Sequence, residues 1–136
     1  MSTEGQKLVN DAGKMVPLFY LFSMQNQQTA ADQGAWVKME DVKAGSFEFL
    51  NDGGLPNNGN DSQAVGAGTL TSFTAEIMLS NSLNPPANNI DGTVLATVSS
   101  VGFYTLSTLA RWCKVKVSAI SVTGGASLGV RFHART

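Results

Sequence analysis

Cys113-Lys114-Val115-Lys116-Val117-Ser118-Ala119 and Leu128-Gly129-Val130-Arg131-Phe132-His133-Ala134 decide the fold class. Both alternate strictly. Successive side chains of a strand point to opposite faces, so Cys113, Val115, Val117 and Ala119 share one side while Lys114, Lys116 and Ser118 share the other. In the second run Leu128, Val130, Phe132 and Ala134 oppose Arg131, His133 and Arg135. Thr123-Gly124-Gly125-Ala126 lies between them, and a Gly-Gly pair joining two alternating runs predicts a β-hairpin. One face of that hairpin is apolar and the other basic, which sets the first against a core and the second toward water or a partner.

Working outward, the same period recurs. Leu70 to Ser80 is a long alternating strand with Phe73, Ala75, Ile77 and Leu79 inward and Thr74, Glu76, Met78 and Ser80 outward. Thr93 to Val98 and Phe103 to Leu106 are shorter strands. Asn81 to Gly92, with Pro85-Pro86, is a loop because prolines lack the donor that pairing needs. No helical period interrupts this half, and the fold class is all-β, an antiparallel, jelly-roll-like β-sandwich with an extended N-terminal arm. Residues 69–136 are expected to form the sandwich core.

Residues 1–68 read as the arm and peripheral strands. Met1 to Lys14 is polar and aperiodic, a mobile or partner-bound segment. Val16 to Phe22 is strongly apolar around Pro17, a core or inter-subunit strand that holds Phe19, Tyr20 and Phe22. Ser23 to Gly34 reads as a loop or a helical turn. Ala35 to Val42 is a short strand anchored by Trp36, and Ser46 to Leu50 another, with Phe47 and Phe49 on one face. Asn51 to Gly68 is too rich in Gly and Asn for a regular element, and serves either as a linker or as a loop ordered in an assembly.

Composition narrows the function. Charged residues make up 14% of the 136-residue chain, against about 25% in an ordinary domain. The exterior is therefore largely uncharged, as suits packing against other protein. Residues 1–68 carry four Lys and eight acids, residues 69–136 five Lys or Arg and two acids. Opposite charge on the two halves favours contact between them or between subunits. The positive half is too weak for nucleic acid, and no apolar run reaches the roughly twenty residues of a membrane span.

Chemistry finds little to work with. His133 is the only histidine and Cys113 the only cysteine, which excludes a disulfide within the chain and the usual zinc sets. Cys113, facing inward, is a structural thiol. Asp52, Asn57, Asn60 and Asp61 offer oxygens without calcium-loop spacing, and such Asn-Gly-Asp clusters are ordinary turn chemistry. No cofactor, metal or catalytic site is expected. Trp36, Trp112, Tyr20 and Tyr104 are the candidate sugar-stacking aromatics. Trp112 shares a face with Lys114 and Lys116, and is either an exposed contact or returned to the rim of the core by a twist at Arg111.

The order of elements resembles a known family. A loop ending Asp91-Gly92, a short strand, Gly102-Phe103-Tyr104, then Ala110-Arg111-Trp112-Cys113-Lys114-Val115-Lys116-Val117 and Thr123-Gly124-Gly125 resemble the small β-sandwich modules of virion structural proteins in tailed bacteriophages. Arg111 and Trp112 match the family's Arg-aromatic pair, and Lys114 its second basic position. Cys113 stands where a β-branched residue is more usual, and the loop with Pro85-Pro86 is longer. The resemblance covers residues 70–135. It implies a non-enzymatic virion protein, made in the host cytoplasm and placed on the capsid exterior. Such a decoration or cement protein would bind the major capsid protein or other virion proteins as a homo-oligomer, in that family's habit a trimer. A tail, baseplate or head-fibre component, possibly carbohydrate-binding, is the alternative. The candidate contact residues are Phe19, Tyr20, Phe22, Trp36, Arg111, Trp112, Lys114, Lys116, Arg131 and His133.

Overall fold

Gly124 and Gly125 have φ of 66° and 85°, and Thr123 C=O accepts a hydrogen bond from Ala126 N–H at 3.3 Å across them. Two successive left-handed residues make a tight turn that glycine enters without the Cβ penalty. The computed structural model describes residues 19–40, 42–52 and 68–135. Its strands are β1 (Phe19–Gln28), β2 (Val37–Lys38), β3 (Ala44–Asn51), β4 (Thr69–Ser80), β5 (Thr93–Val98), β6 (Gly102–Leu106), β7 (Trp112–Thr123) and β8 (Leu128–Arg135). They form two four-stranded antiparallel sheets, β1-β8-β3-β6 and β2-β7-β4-β5.

The turn therefore does not close a hairpin. β7 and β8 lie in different sheets, and the Gly-Gly pair is a corner between layers. Pairing elsewhere explains the difference. β7 finds the equally long β4 along eleven register positions, and β8 is flanked on both sides by β1 and β3. The apolar faces of β7 and β8 are then free to line the interior from opposite sheets. Val115, Leu128, Val130, Phe132 and Ala134 are fully buried.

Strands from the first half supply the same core. β1 contributes Phe22 and Met24, and β3 contributes Phe47 and Phe49. Phe47 lies directly opposite Phe132 in the β3–β8 register, their rings stacked at 4.3 Å, with Phe22 next at 6.3 Å. The expected loop or helical turn after Ser23 is instead strand as far as Gln28, since Met24 still has core to cover. Expectations for residues 1–18 and for most of the 51–68 loop fall outside the described residues, as do the side chains of Phe19 and Tyr20.

Two irregularities in the β4–β7 ladder correct the inward list. Ser118 has no register partner, because Thr74 pairs with Ala119 and Ala75 with Val117. One extra residue reverses the facing of everything beyond it. Ala119 is thereby exposed, against the alternation, and Ile120 turns in opposite Phe73. Ser118 Oγ has two acceptors in reach of its one proton, Glu76 Oε1 at 3.0 Å and Thr74 C=O at 3.3 Å. Thr71 is the matching extra residue on β4, so Leu70 also packs inward.

Because Phe132 centres the aromatic stack, Phe132→Ala is expected to lower unfolding free energy by about 3–5 kcal/mol. Urea denaturation checks this, with the midpoint falling and the slope unchanged.

Candidate interaction surface

Lys114 reverses the simplest expectation for a charged outward residue. It points away from the core, as its position on β7 requires, yet its side chain is 0% exposed. The Asn81–Gly92 loop covers it. Nζ donates to Asn88 C=O at 2.7 Å and to Gln33 Oε1 at 3.3 Å, and Asp91 Oδ1 lies 3.8 Å away. Three acceptors thus surround an ammonium with three protons. The Trp36 ring sits 5.1 Å from Nζ, in cation–π range. Burial pushes the Lys114 pKa below its ordinary 10.5, with Asp91 opposing that shift, Lys116 adding to it and Asp32 opposing. Met78, opposite Lys114 on β4 and expected to face water, is buried with it.

The other candidates on this face hold the same loop. Trp36 is buried, its Nε1 donating to Ala87 C=O at 3.1 Å and its backbone N–H to Asn88 Oδ1 at 3.1 Å. Half-buried Trp112 remains on the outer face and donates to Ser82 C=O at 3.0 Å. Arg111 N–H reaches Asn81 Oδ1 at 3.0 Å, while its guanidinium pairs with Glu40 at 3.3 Å. Lys116 pairs with Asp91 at 3.2 Å. The side chains of Trp36, Trp112, Lys114 and Lys116, which look available to a partner, are occupied by residues 81–91 of their own chain.

Phe22 is a core residue, not a surface one. On the outer face of the first sheet, Arg131 Nη2 pairs with Asp52 Oδ1 at 3.3 Å, and Asp52 is 3% exposed. Gly129 makes this possible: a Cβ there would stand 2.5 Å from Asp52 Oδ2. Asp52 is thus committed to Arg131 and Ser127, whose Oγ donates to its C=O at 2.8 Å. Asn57, Asn60 and Asp61 lie outside the described residues. His133 is exposed on this face, while Cys113 is buried in the core, its thiol pushed up to about 12 by desolvation. The sandwich separates the two, so they form no nucleophile–base pair. Among the described residues no group of three His, Cys, Asp or Glu could hold a metal ion. Trp36, Trp112 and Tyr104 do not share one platform, for Tyr104 packs edge-on against Phe49 of the other sheet at 5.4 Å.

Among the described residues, exposed apolar side chains gather elsewhere. A groove of about 420 Å³ runs between Leu79–Asn81, Thr93–Leu95 and Thr108–Ala110, and a second of about 390 Å³, lined by Glu40, Lys43 and Arg111 as well as Met39 and Val42, lies beyond Leu109. Leu109, 67% exposed, is the ridge between them. Sequence reasoning missed this surface, although the absence of any charged side chain from Gly92 to Ala110 was a usable signal.

Gln25 was also missed. Fully buried, it donates from Nε2 to Val115 C=O at 2.7 Å. That carbonyl lies between the Val37–Cys113 pair and the Asp32–Val117 bridge. A side chain from one sheet thereby completes the ladder of the other.

No protein-family model and no curated protein matches the chain. Among solved structures, the crystal structure of the SPBc2 prophage-derived protein YomS is similar, with a TM-score of 0.59 over 90% of this chain and 97% of that one. Identity is 9%, so the likeness is one of fold.

The buried ammonium carries a pH signature. A base whose folded pKa lies below its unfolded value binds fewer protons when folded, so stability rises with pH between the two values. The difference in unfolding free energy, native chain minus Lys114→Met, should therefore rise as pH climbs from the folded value toward 10.5 and stay level below the folded value, where both states hold the proton. Urea titrations of both proteins across that range check this; a constant gap would place Lys114 in water.

Proposed function

We propose that the chain is a non-enzymatic structural component of a bacteriophage particle, most concretely a capsid decoration protein that binds the shell exterior and stabilises it. The observation that carries this reading is the likeness to a prophage-derived protein along nearly the whole of both chains. The geometry of the site supports it. Among the described residues, Lys114, Asp52 and Arg131 are held in contacts within the chain, and an open, largely apolar groove lies beside an uncharged stretch. Apolar surface of this kind gains free energy on contact with protein, roughly 25 cal/mol for each Å² buried. The major capsid protein is the proposed partner, with Leu95 and Leu109 at the centre of the contact.

Location and copy number in purified particles test this. A decoration protein is expected in hundreds of copies at fixed lattice positions on the shell, seen by cryo-reconstruction and quantified protein bands. A few copies at one vertex would make it a tail, baseplate or head-fibre part. Absence from particles would refute the virion reading.

A further inference from the structure

The two sheets present four edges, and three carry devices that discourage a further strand. β1 has two register shifts and leans on β7 through Gln25. β2 is two residues long and ends on Lys38. β5 has a register shift that leaves Leu95 unpaired in its ladder. Register shifts, shortness and edge lysines are the usual protection against edge-to-edge pairing. β6 has none of these. It pairs regularly with β3 from Gly102 to Leu106 and has no further partner among the described residues. In an antiparallel strand alternate residues aim N–H and C=O away from the neighbour already paired, so β6 offers a ladder to an added strand.

The face beside that edge favours one kind of added strand. On the outer side of the first sheet, Phe103 on β6, Glu48 on β3 and Arg131 on β8 stand in one row. Phe103 is 72% exposed. Arg131 is turned to Asp52, at 3.3 Å, and Glu48 enters none of the ion pairs among the described residues. Half-buried Glu48 is thus a carboxylate left without a partner cation, one strand in from the open edge. A strand laid on β6 stands two strand spacings from β3, about 10 Å. A Lys or Arg on it, opposite Phe103, crosses the ring toward Glu48 and gains a cation–π contact together with an ion pair.

We propose that β6 takes an extended segment of the capsid partner as a fifth strand of the first sheet, with a Lys or Arg of that segment over Phe103 and paired to Glu48. The inference rests on the virion reading and adds the mode of attachment. β5 and β6 are end strands of their sheets, joined by residues 99–101, so the added strand adjoins the contact assigned to Leu95. A second copy of this chain does not supply the cation. Its β6 reads Gly-Phe-Tyr-Thr-Leu, and pairing β6 with β6 would leave Glu48 as it is.

Shells of the source phage assembled without this chain are the probe, mixed with the full chain and sedimented. The chain is expected to co-sediment, and the amides of residues 102–106 to exchange with deuterium more slowly in the bound chain than in the free one. Glu48→Gln and Phe103→Ser should each weaken shell binding by roughly tenfold. Arg135→Gln, on the same outer face but on β8, should leave it unchanged. The exchange readout uses the native chain and does not depend on how the variants fold. Binding with the β6 amides unprotected, or with both variants binding as the native chain does, would overturn this inference and leave the virion reading standing. Failure to bind shells at all would overturn both. A free chain that sediments as a dimer, its β6 amides protected before shells are added, would give the edge to a second copy and overturn the proposal.

Discussion

The hydrogen bond from the Lys114 ammonium to the Asn88 carbonyl ties the outer face of the second sheet to the loop that covers it. An ammonium without water is costly, and the site is tolerable only because Asn88, Gln33, Asp91 and the Trp36 ring together replace hydration. Those groups converge on β7 from residues 33–36 and 88–91. Each segment is held by the requirement to satisfy the same cation. Met78 is buried as a consequence, and Trp112, Lys116 and Arg111 extend the attachment along the loop.

This arrangement moves the functional emphasis. A row of Trp and Lys on a strand has the composition of a recognition surface, but here it recognises its own loop. Exposed apolar side chains gather toward β5 and β6, where Val94, Leu95, Val101, Phe103 and Leu109 stand among serines and threonines and residues 92–110 carry no charge. Association there would rest on apolar burial and strand pairing, with little dependence on salt. Structural parts of large assemblies are held by such forces, as are obligate oligomers.

The fold class was legible because strand periodicity depends on local sequence. Phe47, Phe49, Phe73, Ala75, Ile77, Val115, Val117, Val130 and Phe132 face inward as their alternation implies. What alternation does not encode is the partner of each strand. Gly124-Gly125 specifies a tight turn, and a turn of that shape serves a hairpin or a corner. The choice was made by β4, β1 and β3, which lie far away in sequence. The Ser118 bulge was equally hidden, since it is a property of two strands in register. Lys114 was placed on the correct face and in the wrong environment. Its burial comes from a proline-containing loop whose path local sequence does not dictate, and the Gly129 space for Asp52 is a tertiary fact of the same kind.

The side-chain ¹⁵N–¹H spectrum of the lysine ammonium groups at neutral pH tests the central claim most directly. Exposed ammonium protons exchange with water too fast to be seen easily, whereas a buried, hydrogen-bonded group exchanges slowly. The account predicts one persistent ammonium signal, lost in Lys114→Met, whose neighbouring methylene protons are shifted by the Trp36 ring. A Lys114 ammonium that exchanges as fast as that of exposed Lys38 would contradict it. The loop would then not be held on the sheet, and the basic face would be open to a partner.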